Sequence, residues 1–413
     1  MINRKRLRCV SCGTRIITRT GIGHSIIQKH KFACPKCKIE IGYILDVGQE
    51  VPKIEYREPT NAVWDDGEDE GDHMLLFYPE VMIPRHLESP ISPFIATAHN
   101  YKDIGDYQKF EATRRHYKDK YWPVFERAYV HFETGNLKLL KKEILSILPS
   151  VPEIAGSEER GGWILHLSRR FFDLFIVDPQ LSEQVERTVA YAVHTDDKEV
   201  RRLAADYVRS GRMLALWKEI KSVRKQFLAL YESLLPILMV KRYWREDQQE
   251  IRAYELSVKN FEDLKGFFID CVETTFRLLV IGLAMELIAT TGKPKIKTKK
   301  GENTIWWFEQ INNGIKYTQL KQYRLFDVFE PALDLGLRNG IGHHAAHYDV
   351  VTDDIVYVKA DDANLTEIRL PYTEFVEKVF DAYCAFELAT VFFQWFFVAG
   401  RGKLKKGRPR AKK

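Results

Sequence analysis

Cys9, Cys12, Cys34 and Cys37 form two C-x2-C pairs with 21 residues between them. No other feature restricts the fold of this chain as much. Each C-x2-C turn can bring two thiolates to one point, and two such turns complete the tetrahedral set of soft ligands that zinc takes in structural sites. Four protein thiolates leave no open coordination position. The expected metal is therefore structural, one Zn2+ per chain, and no catalytic metal is expected. His24 and His30 lie between the pairs but would find the shell already filled. A disulfide framework would require export, and "MINRKRLRCVSC" has no apolar core after its basic residues, so it does not read as a secretory signal. The expected location is cytoplasmic.

The flanks of the cysteines are short β-prone runs, "TRIITRT" and "SIIQKHKFA", around "GIG" at 21–23. "KIEIGYILD" then alternates Ile39, Ile41, Tyr43 and Leu45 against Glu40, Gly42 and Asp46, the pattern of a half-buried strand. Residues 6–47 resemble a zinc ribbon, within a first domain read as 1–48.

Charge is distributed unevenly. Residues 1–38 hold ten Lys/Arg and no acid, and residues 401–413 hold eight Lys/Arg and no acid, so the body between them is acidic. Basic ends of this kind favour phosphate backbones through counterion release. At the N-terminus Arg4, Lys5, Arg6 and Arg8, with Arg15 and Arg19, are the candidate nucleic-acid contacts. At the C-terminus they are Lys405, Lys406, Arg408 and Arg410. There "KGRPRAK" resembles the Arg-Pro core of an AT-hook, which implies a DNA contact, although Lys406 stands where that motif has arginine.

Residues 49–98 read as an acidic and proline-rich linker. "WDDGEDEGDH" places six acids in ten residues without calcium-loop spacing, and prolines follow at 79, 84, 90 and 93. Residues 99–244 read as a helical middle domain. Its "PVFERAYVHFETGNLKLLKKEILSIL" suggests a helix, a Gly-Asn turn and a second helix. Trp122, Arg169, Arg170, Trp217 and Arg224 there read as core and solvated face rather than as an RNA track. No span suits a membrane: "FRLLVIGLAMELIATTG" contains Arg277 and Glu286, and "VFFQWFFVAG" continues a helix already holding Glu374, Glu377, Lys378, Asp381 and Glu387. Cys271 and Cys384 read as buried thiols.

Residues 245–400 read as a third, helical domain. A long helix over 260–292 stops at Gly292 and Pro294. "LGLRNGIGHH" follows, then two β-like runs, "DIVYVKA" and "TEIRLPY", and a final helix. "RNGIGH" fits the R-N-x-x-x-H signature of HEPN domains, at the end of a late helix as in that superfamily. The resemblance implies a helical bundle and, for many members, a metal-independent endoribonuclease of toxin–antitoxin, phage-defence or RNA-processing systems. Arg338 would then hold phosphate, His343 would act as acid/base, and Asn339 would orient the substrate. His344 and His347 would be secondary site residues. The residue types suit that chemistry independently, because imidazole titrates near neutrality and guanidinium binds phosphate bidentately.

Five positions along a helix turn a side chain by about 140°, so Arg338 and His343 do not share a face, whereas Asn339 and His343 do. Pairing of two chains, the family's usual solution, implies a homodimer with a composite cleft. Gly336 and Gly340 would offer a small-residue strip to another helix. Two other readings of these residues are a structural helix end, with Arg338 in an ion pair and the histidines favoured by the dipole, and a second metal bound by His343 and His347 with Asp349 or Asp353. The expected protein is mainly α, with a small N-terminal β zinc ribbon, a helical middle domain, a HEPN-like helical domain and a basic tail over 401–413. The expected function is RNA cleavage, with tRNA among the candidate substrates. The alternative is a non-catalytic nucleic-acid-binding or scaffold protein.

Overall fold

The computed structural model describes residues 2–22, 27–47, 54–67, 73–85, 92–103, 105, 109, 120–147, 179–245, 247, 250–298, 301–342, 346–361 and 364–401. The chain opens with β1 (Ile2–Cys9), β2 (Arg15–Gly21), β3 (Ile27–Ala33) and β4 (Glu40–Val47). β5 (Ile54–Tyr56), β6 (Ala62–Trp64), β7 (His73–Phe77) and β8 (Ile83–Pro84) follow, then a helical turn, α1 (Pro93–Thr97). Next come α2 (Trp122–Glu133), α3 (Leu137–Leu145), α4 (Pro179–Arg209) and α5 (Arg212–Tyr243). β9 (Tyr254–Glu255) precedes α6 (Phe261–Thr291), the hairpin β10 (Lys295–Thr298) and β11 (Gly301–Thr304), α7 (Ile305–Gln310), α8 (Asn313–Leu320) and α9 (Leu335–Gly342). β12 (His347–Asp349), β13 (Asp354–Asp361) and β14 (Asn364–Pro371) lead into α10 (Tyr372–Arg401). The protein is mainly helical with small sheets, and among the described residues no helix is long and apolar enough to cross a membrane.

The chain divides into two units, one of Met1–Gln108, Gln226–Ile269 and Asp334–Asp381, the other of Lys109–Lys225, Asp270–Leu333 and Ala382–Lys413. The boundary read at 244/245 is not a boundary between these units, and α5, α6 and α10 each have residues in both.

In the first unit, one sheet has the order β6-β1-β2-β7 and another the order β3-β4-β5. β1/β2, β1/β6, β3/β4 and β4/β5 are antiparallel, and β2/β7 is parallel. Ile41, Tyr43 and Leu45 alternate into the core as the sequence period requires. Ile41 and Tyr43 join Leu7, Ile16, Phe32 and Phe77 in one cluster. Residues 49–98, read as a connection, therefore supply β5, β6, β7 and β8 to sheets. Strands of two to five residues leave little periodic signal, and their pairing partners are remote in the chain. β12, β13 and β14 form a separate antiparallel sheet. Phe375, near the start of α10, packs ring to ring on Tyr372 and on Phe261 of α6.

In the second unit, α2 and α3 form the expected helical hairpin. Gly135 takes φ +76°, and Asn136 Oδ1 accepts from Leu139 N–H, capping α3. α4 breaks at Asp196 (φ −150°, ψ 82°), whose side chain accepts from Glu199 N–H and caps the second segment. Trp217 stacks on Tyr129 and Phe397. Arg224 is buried and bidentate to Glu387, at 3.0 and 2.7 Å, and Tyr383 donates its hydroxyl hydrogen to the same carboxylate. Removing either partner would leave the other charge buried and uncompensated, at a cost of about 3–5 kcal/mol. Cys271 is buried and Cys384 half-buried, as plain thiols.

Candidate functional site

The two cysteine turns are built alike. Gly13 N–H donates to the Cys9 carbonyl and Lys38 N–H to the Cys34 carbonyl, both at 3.0 Å. The residue after each second cysteine is left-handed, Gly13 at φ +71° and Lys38 at φ +65°. Glycine takes that conformation without cost, whereas lysine is strained by about 1–2 kcal/mol. Cys9 N–H and Cys34 N–H then donate to Thr14 and Ile39, returning the chain to its strands.

These turns bring the four sulfurs together. Cys9 and Cys37 are 3.6 Å apart, Cys12 and Cys34 are 3.6 Å apart, and all four lie within 4.8 Å of one another. A tetrahedron of Zn–S bonds about 2.3 Å long has edges of about 3.8 Å, so the set fits zinc, whereas a disulfide needs about 2.05 Å. Burial pushes the Cys9 thiol up to about 11, while the hydrogen bond to Thr14 draws Cys12 down to about 6. Zinc would displace the Cys9 proton, which makes its affinity fall as pH falls. These four cysteines are the metal-competent cluster among the described residues. His30 is not part of it. It lies buried between Tyr43 and Phe77, and desolvation holds its pKa down at about 4.

The second candidate site is α9. Asp334 caps it, its side chain accepting from Leu337 N–H at 2.9 Å and pairing with Lys378 at 3.1 Å. Arg338 is half-buried and Asn339 exposed, and Arg338 Nη1 donates to Asn339 Oδ1 at 3.0 Å. A β-carbon at Gly342 would stand 3.9 Å from Arg338 Nη1, so the guanidinium reaches one turn along the helix towards its C-terminal end. His343 and His344 lie outside the described residues, as do the tail residues Lys405, Lys406, Arg408 and Arg410 and also His24. His347 starts β12, exposed and opposite Val356. Asp349 pairs with Arg369, and Asp353 with Lys259.

The glycines of α9 meet a strand rather than the helix expected. A β-carbon at Gly340 would fall 2.4 Å from the Tyr357 ring and 3.2 Å from the Val358 carbonyl, so α9 rests directly on β13. Gly336 is less crowded, with Asp334 and the Lys359 stem 3.4–3.5 Å away.

The basic N-terminal residues split between two faces. Arg4, Arg6 and Arg8 alternate along β1 on one face, and Arg15 and Arg19 stand opposite Arg8 and Arg4 on β2. Lys5 pairs in register with buried Thr18 on the other face and lies 5.7 Å over the Tyr56 ring. The period-two spacing of "RKRLR" and "RIITR" carries this division in the sequence, and it becomes visible once the strands are assigned. No protein-family profile, curated protein or solved structure matches the chain.

Proposed function

We propose that this protein cleaves RNA through the RNA's own 2′-hydroxyl at a site built on Arg338, Asn339 and His343, with a structural zinc holding the N-terminal strands. The observation that carries this reading is the reach of the Arg338 guanidinium to Gly342, next to His343 in the R-N-x-x-x-H string. Gly342 lies at i+4 on the face of Arg338, and the paired chain's own set makes up for the separation of about 140° between Arg338 and His343 on an ideal helix. The hairpin and long helix after the motif also suit the HEPN resemblance.

In the reaction His343 takes the proton from the 2′-OH, whose oxygen attacks the phosphorus. The P–O5′ bond breaks and the departing oxygen is protonated, giving a 2′,3′-cyclic phosphate and a 5′-hydroxyl. Arg338 neutralises the negative charge that builds on the phosphorane oxygens. Asn339 holds Arg338 and hydrogen-bonds the substrate. A homodimer supplies a second Arg338–His343 set, so one histidine acts as base and its counterpart as acid. The setting that this implies is a bacterial defence or toxin–antitoxin system.

The test is incubation of zinc-loaded protein with end-labelled RNA, bulk tRNA included, during brief EDTA treatment, beside His343→Ala and Arg338→Ala. Metal analysis confirms that the ribbon keeps its zinc. Cyclic-phosphate ends from wild type alone establish the reading, and equal cutting by all three proteins refutes the site. A second reading, a non-catalytic RNA binder, is favoured by the arginines of β1 and β2. It predicts RNA affinity without cutting by any of the three.

A further inference from the structure

The arginines of β1 and β2 form a surface that is costly for a sheet to hold. Arg4 stands opposite Arg19 and Arg8 opposite Arg15, with Arg6 opposite Ile17 between them. Directly opposed residues share a face, and like charges so placed destabilise a sheet. Five arginines thus occupy one face of two adjacent strands. The flanking strands add exposed apolar positions to it: Val63 opposite Arg8 and Met74 opposite Ile17, each 42% exposed.

An acidic residue from the following segment sits among them. Just past β6, Asp65 Oδ2 lies 3.3 Å from Arg15 Nε and 3.7 Å from Arg8 Nε, with its side chain 13% exposed. Its backbone N–H donates to the Arg6 carbonyl at 3.1 Å, and Arg6 Nη1 donates to the Gly67 carbonyl. One carboxylate therefore bridges both arginine strands. Asp66, Glu68, Asp69, Glu70 and Asp72 follow it in sequence.

We propose that this five-arginine face takes the phosphate backbone of single-stranded RNA, and that Asp65 occupies part of it as an internal competitor which the RNA displaces. Alternate residues on a strand are about 6.8 Å apart, a repeat that suits successive phosphates of an extended chain, and guanidinium forks bind phosphate bidentately. Val63 and Met74 offer apolar contact to sugars and bases beside the cationic rows. Competition from Asp65 lowers resting affinity for polyanions and limits the number of phosphates engaged. This inference rests on the RNA reading above but is read by affinity alone, so a failure of cleavage leaves its test intact.

The experiment is fluorescence anisotropy with a labelled oligouridylate and full-length, zinc-loaded protein, every form carrying His343→Ala so that RNA is not consumed. Asp65→Asn removes the carboxylate charge from between Arg8 and Arg15. It is expected to tighten binding on the order of tenfold at low salt and to steepen the salt dependence by about 0.7 for each further phosphate engaged. Arg4→Gln/Arg19→Gln, which leaves the Asp65 ion pairs in place, is expected to weaken binding by a similar factor and to flatten that dependence. In an Arg8→Gln/Arg15→Gln background, Asp65→Asn is expected to change nothing. Unaltered or weaker binding by Asp65→Asn at full zinc content overturns the competitor role. If Asp65→Asn loses zinc, the Arg4→Gln/Arg19→Gln result alone decides the face. Unaltered binding by that variant, or tighter binding of duplex DNA than of oligouridylate, overturns the RNA assignment.

Discussion

The cysteine turns and helix α9 are both short sequence signals, yet they differ in how much of their geometry they carry themselves. Two nearly identical turns, each closed by a 3.0 Å hydrogen bond, place four sulfurs within 4.8 Å of one another. In α9 the R-N-x-x-x-H string places only Arg338 beside Asn339 by its own backbone. Where that helix rests is decided by Gly340 against Tyr357 of β13. A ligand set is local chemistry repeated twice, whereas a helix with one reactive face depends on what the rest of the chain packs beneath it.

The sharpest test of this contrast is at Cys34, a buried member of the four-thiol cluster. Structural zinc contributes on the order of 10 kcal/mol to small metal domains. Cys34→Ser is expected to take zinc content from about one ion per chain to none and to unfold the N-terminal strands, read by metal analysis beside circular dichroism. Full zinc content with an unaltered melt would break the comparison.

A smaller effect separates metal from apolar burial in the same region. Desolvation between Tyr43 and Phe77 lowers His30 to about 4, from an ordinary value of 6.5. Above pH 6.5 this group leaves stability unchanged. As pH falls from 6.5 to 4 the unfolded chain takes the proton first, and stability drops by about 3 kcal/mol. Zinc release acts in the same direction, so the informative quantity is the difference between wild type and His30→Phe in denaturant midpoints across that window. Parallel curves for the two proteins would remove the histidine from the account.

The smallest effect lies in α9. Gly340→Ala forces a β-carbon into the Tyr357 ring and the Val358 carbonyl, and is expected to cost about 1–3 kcal/mol. Gly342→Ala has only Arg338 Nη1 at 3.9 Å as a neighbour and is expected to shift stability by less than about 1 kcal/mol. Equal destabilisation by both, measured by urea unfolding, would mean that the strand contact is not what positions the helix.

Much of the local structure was legible. The α2–α3 hairpin follows from its Gly-Asn turn, β4 from alternation at Ile41, Tyr43 and Leu45, and α6 ends at Gly292, which takes φ +71°. Lys38 hid its left-handed turn behind a residue type that does not advertise one. β6 and β7 were not legible, because three- and five-residue strands take their identity from β1 and β2, remote in the chain.

Sequence alone determined the thiolate set, the helical and strand periods and the charge carried at each end. Those properties depend on residue type and on spacings of two to four positions. Tertiary structure decided that five arginines share a face with Asp65, that Lys5 is turned away from them, that Arg224 is buried on Glu387, and that Gly340 meets a strand. Each of these rests on strand register or packing between segments far apart in the chain, and local periodicity does not encode which remote partner a segment will find.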